Sequence, residues 1–302
     1  MKIEYGKQIE VSEINNIVID LFLFANNVEE RKLTAYNRVK EDNQIIKTIS
    51  LFYPTSTLEN NNDVTNVVIN NHNQITELLE LELRTNGKEG FVLFIDYSCM
   101  TKSWYYLIIL YLANNESKYK NITVYFSYTP SLFSTPLDPK PNKDISPLPG
   151  KYNIPNNKPK ALIVGLGYEE NKAQGIIDQL DPAITYLFYT DPALDINFVK
   201  AIEANNESIL EEFKYNTVKF PFNDLLFIEK ELSTLYFLLK DRFNIIIAPL
   251  GPKPFTFVAM MMSVIFHDIE IWRVGSGEDI NPYSRIPFSE DNFIISKVVF
   301  CT

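Results

Sequence analysis

Two stretches of the sequence decide the fold: Phe94-Ile95-Asp96-Tyr97-Ser98-Cys99-Met100-Thr101-Lys102 and Ile246-Ile247-Ala248-Pro249-Leu250-Gly251-Pro252-Lys253. Each one begins with a short apolar run, continues through a short loop to a lysine, and leads into an apolar segment of helical length. A buried strand, a tight loop and a helix in that order form the repeating unit of parallel α/β sheets. Because the unit occurs twice, the sequence predicts two copies of one α/β domain.

Three further pairs of segments indicate an internal duplication. Val28-Glu29-Glu30-Arg31-Lys32 corresponds to Tyr168-Glu169-Glu170-Asn171-Lys172, and both follow an apolar run. The other pairs are Leu51–Pro54 with Phe188–Pro192 and Ile122–Phe126 with Ile269–Val274. All the pairs keep the same order along the chain, although the loops between them differ in length. We therefore expect an α/β protein of two degenerate tandem Rossmann-like repeats, each a mostly parallel sheet flanked by helices.

Short β-rich runs alternate with helical patterns in both halves of the chain. The predicted strands are residues 17–24, 46–53, 66–70, 91–96 and 122–128, then 160–165, 184–190, 216–220, 244–248 and 269–274. The predicted helices are residues 29–40, 74–84 and 102–113, then 169–180, 195–205, 223–240 and 253–265. Residues 55–65 are polar and predict a loop where the second half has helix 195–205. The first copy is therefore expected to lack one helix.

A proline-rich segment separates the two copies. Eight of the seventeen prolines lie between Pro130 and Lys160, without regular spacing. Neither a helix nor an interior strand persists through such a segment, and a structural linker is favoured over a proline-rich ligand motif. The expected domains are repeat 1 at residues 1–130, the linker at 131–159, and repeat 2 with a C-terminal tail at 160–302.

The composition excludes several classes of protein. With 46% hydrophobic residues among 302, the chain has enough apolar material for one large or two medium cores, which argues against disorder. A formal charge of −10 argues against binding to duplex nucleic acid. Cys99 and Cys301 are too few for a disulfide framework or a four-ligand zinc site, so we expect no metal and no cofactor. Without a secretory signal or a run approaching ~20 apolar residues, we expect a cytoplasmic protein that makes no membrane contact.

Two lysines are the best candidates for binding a ligand. In an open parallel sheet, ligands bind at the carboxyl ends of the strands, where helix N-termini offer free N–H groups. Lys102 and Lys253 both lie at a strand-to-helix turn, where an ammonium beside those donors suits a phosphate. The alternative is that both lysines only solvate the first helical turn, although a cation there opposes the helix dipole.

Two other segments could contact a ligand. Gly165-Leu166-Gly167-Tyr168 follows a strand and resembles the start of a dinucleotide fingerprint, but Glu170 occupies the position of the third glycine. A simple tight turn explains this segment equally well. In the C-terminal tail, Arg285 could clamp a phosphate or carboxylate and Tyr283 could stack on a base. The alternative for the tail is an ordered surface loop.

Candidate catalytic residues are few. His72 lies in a loop after a strand, Asp96 ends a strand beside Ser98, and Glu170 follows the glycine segment. Any of the three could supply acid–base chemistry in a nucleotide hydrolase or nuclease, whereas a strand-ending aspartate is also a routine cap. Since no P-loop, no glycine-flanked serine nucleophile and no helical zinc pair is present, a non-catalytic protein is favoured.

The strand, small turn, Thr/Pro-Lys and helix resemble CRISPR-associated Rossmann fold (CARF) domains and their fused tandem relatives, the SAVED domains. Those families bind cyclic oligonucleotide messengers across a two-fold or pseudo-two-fold junction. This sequence lacks the double glycine that is typical of the lysine loop, and no effector domain is appended. The contacts implied by the resemblance are Asn26, Asn27, Ser98, Met100, Thr101 and Lys102 in the first repeat, and Gly165, Leu166, Gly167, Tyr168, Gly251, Pro252 and Lys253 in the second.

The resemblance implies a nucleotide sensor of prokaryotic antiviral defence that signals to an effector partner. Two other functions stay open at the level of the sequence. One is an enzyme that hydrolyses a nucleotide or nucleoside. The other is a ligand-free subunit whose acidic, aromatic-rich surface docks another protein.

Overall fold

A computed structural model of the chain describes residues 1–54, 63–84, 89–115, 119–151, 156–277 and 284–301. The chain divides into two compact units. Unit 1 comprises Met1–Leu132 together with Pro282–Thr302, and unit 2 comprises Phe133–Asn281. Among the described residues, no helix combines the length and the apolar character that crossing a membrane requires.

Strands and helices alternate through both units. The strands within the described residues are β1 (Lys2–Ile9), β2 (Val18–Ile19), β3 (Leu21–Asn26), β4 (Gln44–Ile45), β5 (Thr48–Phe52), β6 (Thr65–Val68), β7 (Gly90–Asp96), β8 (Asn121–Tyr128), β9 (Asp144–Pro147), β10 (Lys160–Gly165), β11 (Ile184–Thr190), β12 (Thr217–Phe220), β13 (Asn244–Pro249), β14 (Glu270–Gly275) and β15 (Ile294–Cys301). The α-helices there are α1 (Thr34–Asp42), α2 (Asn73–Glu82), α3 (Lys102–Asn114), α4 (Lys172–Leu180), α5 (Ile196–Asn205), α6 (Glu207–Glu212), α7 (Leu225–Leu239) and α8 (Lys253–Ile265).

The main sheet of unit 1 has seven strands in the order β1-β15-β8-β7-β3-β5-β6. The five strands from β8 to β6 are parallel, whereas β15 pairs antiparallel with both β1 and β8. A small parallel pair of β2 and β4 lies outside this sheet. Helix α1 covers one face of the main sheet, where the Phe22 ring stacks on Phe94 at 4.7 Å and meets Tyr36 of α1 edge-on at 5.3 Å.

The sheet of unit 2 has six strands in the order β12-β11-β10-β13-β14-β9. Its first five strands are parallel, and β9 is antiparallel to β14. Numbered in chain order, the five parallel strands of each unit follow the same spatial order, 3-2-1-4-5, which is the order of a Rossmann half. The predicted α/β fold with two degenerate Rossmann-like repeats is therefore confirmed.

One core cluster of each repeat shows a different packing against the helices. Unit 1 packs α1 against aromatic rings of β3, β7 and β8. Unit 2 packs α4, α5 and α6 against branched aliphatic side chains such as Leu162, Val164 and Leu187. Because strands buried on both faces need continuous apolar runs, either composition supports the same strand order. This explains why the duplication persists while the sequences of the repeats have diverged.

Every predicted strand and helix has a counterpart in the structure, with shifted boundaries. The first helix, predicted for residues 29–40, begins as a 3₁₀ turn over Glu30–Leu33 and becomes α-helical only at Thr34. The helical pattern of α5 continues past a break at Asn206 into α6. The predicted absence of a helix at residues 55–65 falls mostly on residues 55–62, which lie outside the described residues.

The C-terminal segment differs most from its expected place. The sequence assigned it to repeat 2, whereas β15 completes the sheet of unit 1 between β1 and β8. Similarly, the expected linker contributes β9 and the segment from Phe133 onward to unit 2. An apolar run predicts a strand but not the sheet in which it pairs, because pairing across many residues depends on tertiary contacts.

Candidate functional site

The loop after β7 in unit 1 is held by a buried hydrogen-bond network. Asp96 Oδ1 accepts bonds from the backbone N–H of Ser98 at 2.9 Å and from its hydroxyl at 2.5 Å. The same hydroxyl oxygen accepts the backbone N–H of Thr129, at 2.7 Å. Asp96 and Ser98 are 2% and 0% exposed. Asp96 thus ties the loop after β7 to the end of β8, as a capping aspartate does.

Arg31 closes the same edge of the sheet. It lies in the 3₁₀ turn after β3, is fully buried, and donates to the carbonyls of Thr129 at 2.6 Å and Ser98 at 3.1 Å. Its Nε lies 2.6 Å from a carboxylate oxygen of Glu29. Burial by itself lowers the pKa of Arg31. The neighbouring Tyr128 and Glu29 and the hydrogen bond to Glu29 outweigh that effect, so the pKa is raised overall and the guanidinium stays charged. No role is predicted for Arg31 from the sequence, because nothing in its local sequence shows that it is buried.

An aromatic pair completes the closure of the unit 1 edge. The Tyr53 hydroxyl, just after β5, donates to the Cys99 carbonyl at 2.8 Å, and its ring stacks on Trp104 at 4.3 Å. Burial raises the pKa of Tyr53 well above its ordinary value. The loops after β3, β5, β7 and β8 are therefore bound to one another by side chains.

This closure limits the contacts that the first repeat can offer. Asn26, Ser98 and Met100 are 7%, 0% and 1% exposed. Asn27 is partly exposed, but its side chain exchanges hydrogen bonds with Glu29. At this edge of unit 1, the expected ligand contacts that keep wider exposure are Thr101 and Lys102.

In unit 2, glycines allow two loops to pack backbone to backbone. A β-carbon on Gly167 would lie 2.6 Å from the carbonyl oxygen of Leu250, and one on Gly251 would clash with the carbonyl oxygen of Leu166. A β-carbon on Gly165 would clash with the ring of Phe255. Leu166 itself is fully buried. These glycines thus serve the contact between the loops after β10 and β13, which corresponds to the tight-turn alternative.

Two asparagines fix the loop after β10. The Asn206 side chain, which is 5% exposed, donates to the Gly167 carbonyl at 3.0 Å, and that of Asn205 donates to the Tyr168 carbonyl at 2.6 Å. The Tyr168 ring contacts Phe133 and Phe198. No short-range motif predicts these contacts, because the asparagines follow the loop by more than thirty residues.

Both predicted lysines lie at the first residue of a helix. Lys102 begins α3 and Lys253 begins α8, and both residues are partly exposed. The first N–H groups of a helix carry partial positive charge, so each lysine lies beside donors suited to an anion. Proline at 254 leaves α8 one such donor fewer.

The two catalytic candidates of unit 1, His72 and Asp96, do not come together, and the third, Glu170, belongs to unit 2. His72 is exposed at the start of α2, Asp96 is buried in its capping network, and Glu170 is exposed in unit 2. Strands β3 and β5 lie between β7 and β6, so the loops that carry Asp96 and His72 begin three strand spacings apart, about 14 Å. The described geometry supplies no acid–base pair from these residues.

Of the two tail candidates, the structure describes Arg285 and assigns it to unit 1. Arg285 belongs to the segment of unit 1 that pairs with residues 130–132, through the Leu132 N–H to the Ile286 carbonyl at 3.0 Å and the Phe288 N–H to the Pro130 carbonyl at 2.9 Å. The sequence had placed Arg285 in repeat 2. Tyr283 lies outside the described residues.

A cleft of about 800 Å³ lies in unit 2 beside the edge strand β12. Lys219 Nζ lies 2.8 Å from Asp191 and 5.0 Å from the centre of the Tyr189 ring, while the Tyr189 hydroxyl donates to Glu203 at 2.8 Å. The hydrogen bonds to Asp191 and Tyr189 raise the pKa of Lys219. No sequence pattern predicts this cleft. Its lining residues are Tyr189, Glu203, Ala204, Glu207, Leu210, Glu211, Lys214, Thr217 and Lys219.

No protein-family model matches the chain, and no curated protein matches it. Among solved structures, it is similar to one titled "Adenylation, ketoreductase, and pseudo Asub multidomain structure of a keto acid-selecting NRPS module", at 10% identity and a TM-score of 0.23. The match covers 80% of this chain and 27% of that chain, so this protein spans about a quarter of its length.

Proposed function

We propose that the protein is a cytoplasmic nucleotide-sensing subunit of a prokaryotic antiviral defence system, which binds a phosphate-containing nucleotide and signals to an effector protein. The repeated arrangement of strand, loop, lysine and helix carries this proposal. In both units, the fourth parallel strand leads into a helix that begins with a lysine, Lys102 or Lys253. Sheets of this type bind ligands at that edge. The resemblance to CARF and SAVED domains extends the proposal to cyclic oligonucleotides.

A thermal-shift screen against mono-, di- and cyclic nucleotides tests the proposal. A ligand that binds only the folded protein stabilises it by about 2.7 kcal/mol at a hundredfold excess over Kd, so the Tm rises. The double variant Lys102→Ala, Lys253→Ala should lose this rise. Lys40→Ala with Lys200→Ala is a matched control, because it removes the same charge from exposed positions in both units. An unchanged shift in a folded double variant, or no shift with any nucleotide, would contradict the proposal.

A ligand-free interaction subunit is the second candidate, and exposed apolar side chains on α7 and α8 favour it. Leu226, Phe237 and Leu238 of α7 are 71%, 58% and 57% exposed, and Ile265 of α8 is 49% exposed. Exposed large apolar side chains are common in protein interfaces. If Phe237→Ser with Leu238→Ser abolishes capture of a partner while no nucleotide shifts the Tm, this second function replaces the first.

A further inference from the structure

Three aromatic side chains of unit 2 form a partly exposed cluster, which we call the aromatic platform: Phe133, Tyr168 and Phe198. Phe133 and Phe198 meet edge-on, with ring centres 5.1 Å apart and an interplanar angle of 85°. Tyr168 lies 5.8 Å from Phe198 and 6.5 Å from Phe133. The three residues come from the segment before β9, the loop after β10 and helix α5. Rings that pack together yet stay partly exposed leave apolar area available to another flat group.

The aromatic platform borders the pair of loops that leads to Lys253. Tyr168 directly follows Gly167, and the Cα of Gly251 lies 3.7 Å from the place of a β-carbon on Gly167. Lys253 follows Gly251 by two residues and begins α8. Aromatic rings and the first turn of a helix therefore adjoin the same loop contact. Such a pairing suits a ligand that has both a flat ring and a phosphate.

The backbone beside the platform is fixed without any ligand. The side-chain amides of Asn205 and Asn206 hold the carbonyls of Tyr168 and Gly167. The glycine contact leaves no room for the loop to move towards Leu250. A loop already ordered in its final position loses little conformational entropy on binding, which increases affinity.

Among the residues that the structure describes, unit 1 has no such platform at the corresponding place. Val28 aligns with Tyr168 and is 64% exposed, so it supplies no ring. The loops around it are tied by Arg31 and Asp96. We propose that the nucleotide base stacks on the aromatic platform of unit 2. The inference rests on the proposed function and assigns the base-reading part of the site.

Titration calorimetry with AMP and ribose 5-phosphate tests the inference, because these probes differ only in the base. The intact protein should bind AMP more tightly than ribose 5-phosphate. Tyr168→Leu should weaken AMP binding by about 10-fold to 100-fold and leave ribose 5-phosphate unchanged, since one stacked base contributes about 1–3 kcal/mol. Tyr168→Phe should bind AMP as the intact protein does. Tyr215→Ala is the matched control, because Tyr215 is 91% exposed in the same unit.

The contrary outcomes separate two failures. Equal affinities for the two probes, or undiminished AMP binding by Tyr168→Leu, would overturn the platform while leaving phosphate binding intact. Binding of neither probe to the intact protein would overturn this inference, whereas the proposed function is overturned only if no nucleotide of the thermal-shift screen binds. If Tyr168→Leu does not fold, Phe198→Leu removes a different ring of the platform and is expected to show the same selective loss for AMP.

Discussion

Unit 1 and unit 2 share one strand order, but their carboxyl edges are closed by different chemistry. In unit 1, charged and hydroxyl side chains of Arg31, Asp96 and Ser98 tie the loops together. In unit 2, the loops contact each other through backbone at Gly167 and Gly251. Lys102 and Lys253 are both partly exposed, but side-chain closure buries Ser98 and Met100, whereas backbone closure leaves Tyr168 partly exposed.

The difference shows that a duplicated fold can separate structural and binding roles between its copies. Burying a guanidinium costs free energy unless its bonds are all made, so the unit 1 network tolerates little change. A backbone contact with no side chains at its centre leaves the surrounding positions open to variation. We therefore expect unit 1 to stabilise the protein and unit 2 to carry the ligand chemistry.

The largest effect is expected from breaking the Arg31 network. Arg31→Met removes a donor from the Glu29 carboxylate and from two buried carbonyls, and should destabilise unit 1 by about 3–5 kcal/mol. Urea unfolding measures this, because Trp104 and Trp272 report on units 1 and 2 separately once the other is changed to Phe. Asn171 is the aligned residue of unit 2, and its φ of 65° is one that glycine adopts without strain. Asn171→Gly should therefore change the stability of unit 2 by less than about 0.5 kcal/mol. Equal effects at the two positions would remove the contrast between the units.

A smaller loss is expected from the glycine contact of unit 2. Gly251→Ala forces a methyl group against the Leu166 carbonyl, and should cost about 1–3 kcal/mol in the transition reported by Trp272. Gly6→Ala is the control, since a β-carbon there meets nothing within 4 Å. Undiminished stability of Gly251→Ala would show that the two loops separate easily.

Removing one hydroxyl from the unit 1 network should cost less again. Ser98→Ala deprives the Thr129 N–H of its acceptor and Asp96 of one donor, for a loss of about 1–2 kcal/mol. Ser289→Ala, in an exposed part of the same unit, provides the comparison. Urea unfolding followed through Trp104 measures the loss. Equal stability of Ser98→Ala and Ser289→Ala would contradict a stabilising role for this network.

The last prediction is a pH dependence confined to unit 2. Lys151 donates to the carbonyls of Ser263 and Ile269, and burial lowers its pKa to about 8 from an ordinary 10.5, although Asp268 and Glu270 oppose the shift. Above about pH 8 the unfolded chain holds a proton that the folded one has released, so stability rises with pH through this window. Below pH 8 the cost of the buried charge is fully present.

Urea unfolding between about pH 7 and 9.5, followed through Trp272, measures this rise. Lys151→Met should flatten it, and the unit 1 transition provides the control. If Lys151→Met kept the full rise in stability with pH, the pH dependence would belong to another titrating group.

Sequence patterns predicted much of the fold because buried parallel strands are apolar runs. The same order of strands and helices also occurs in both halves of the chain. The strand–loop–lysine motif located both Lys102 and Lys253 at helix starts. Patterns failed where the outcome depended on distant partners. Arg31 is buried only because Ser98 and Thr129 are folded against it, and Phe133 meets Tyr168 from a segment that reads as linker. The glycines after β10 and β13 predicted that another group packs closely against the backbone there. Nothing in the local sequence shows whether that group is a ligand or a second loop.

The place of β15 has a consequence for synthesis on the ribosome. Strand β15 follows the whole of unit 2 in the chain, yet it fills the gap between β1 and β8. Unit 2 is one continuous stretch of the chain and leaves the ribosome complete. Strand β1 can pair with β15 only after nearly three hundred residues have been translated. Since domains fold as units while they emerge, the later repeat is expected to reach its native state before the earlier one. During that interval the open edges of β1 and β8 are the surfaces that a nascent-chain chaperone would have to protect.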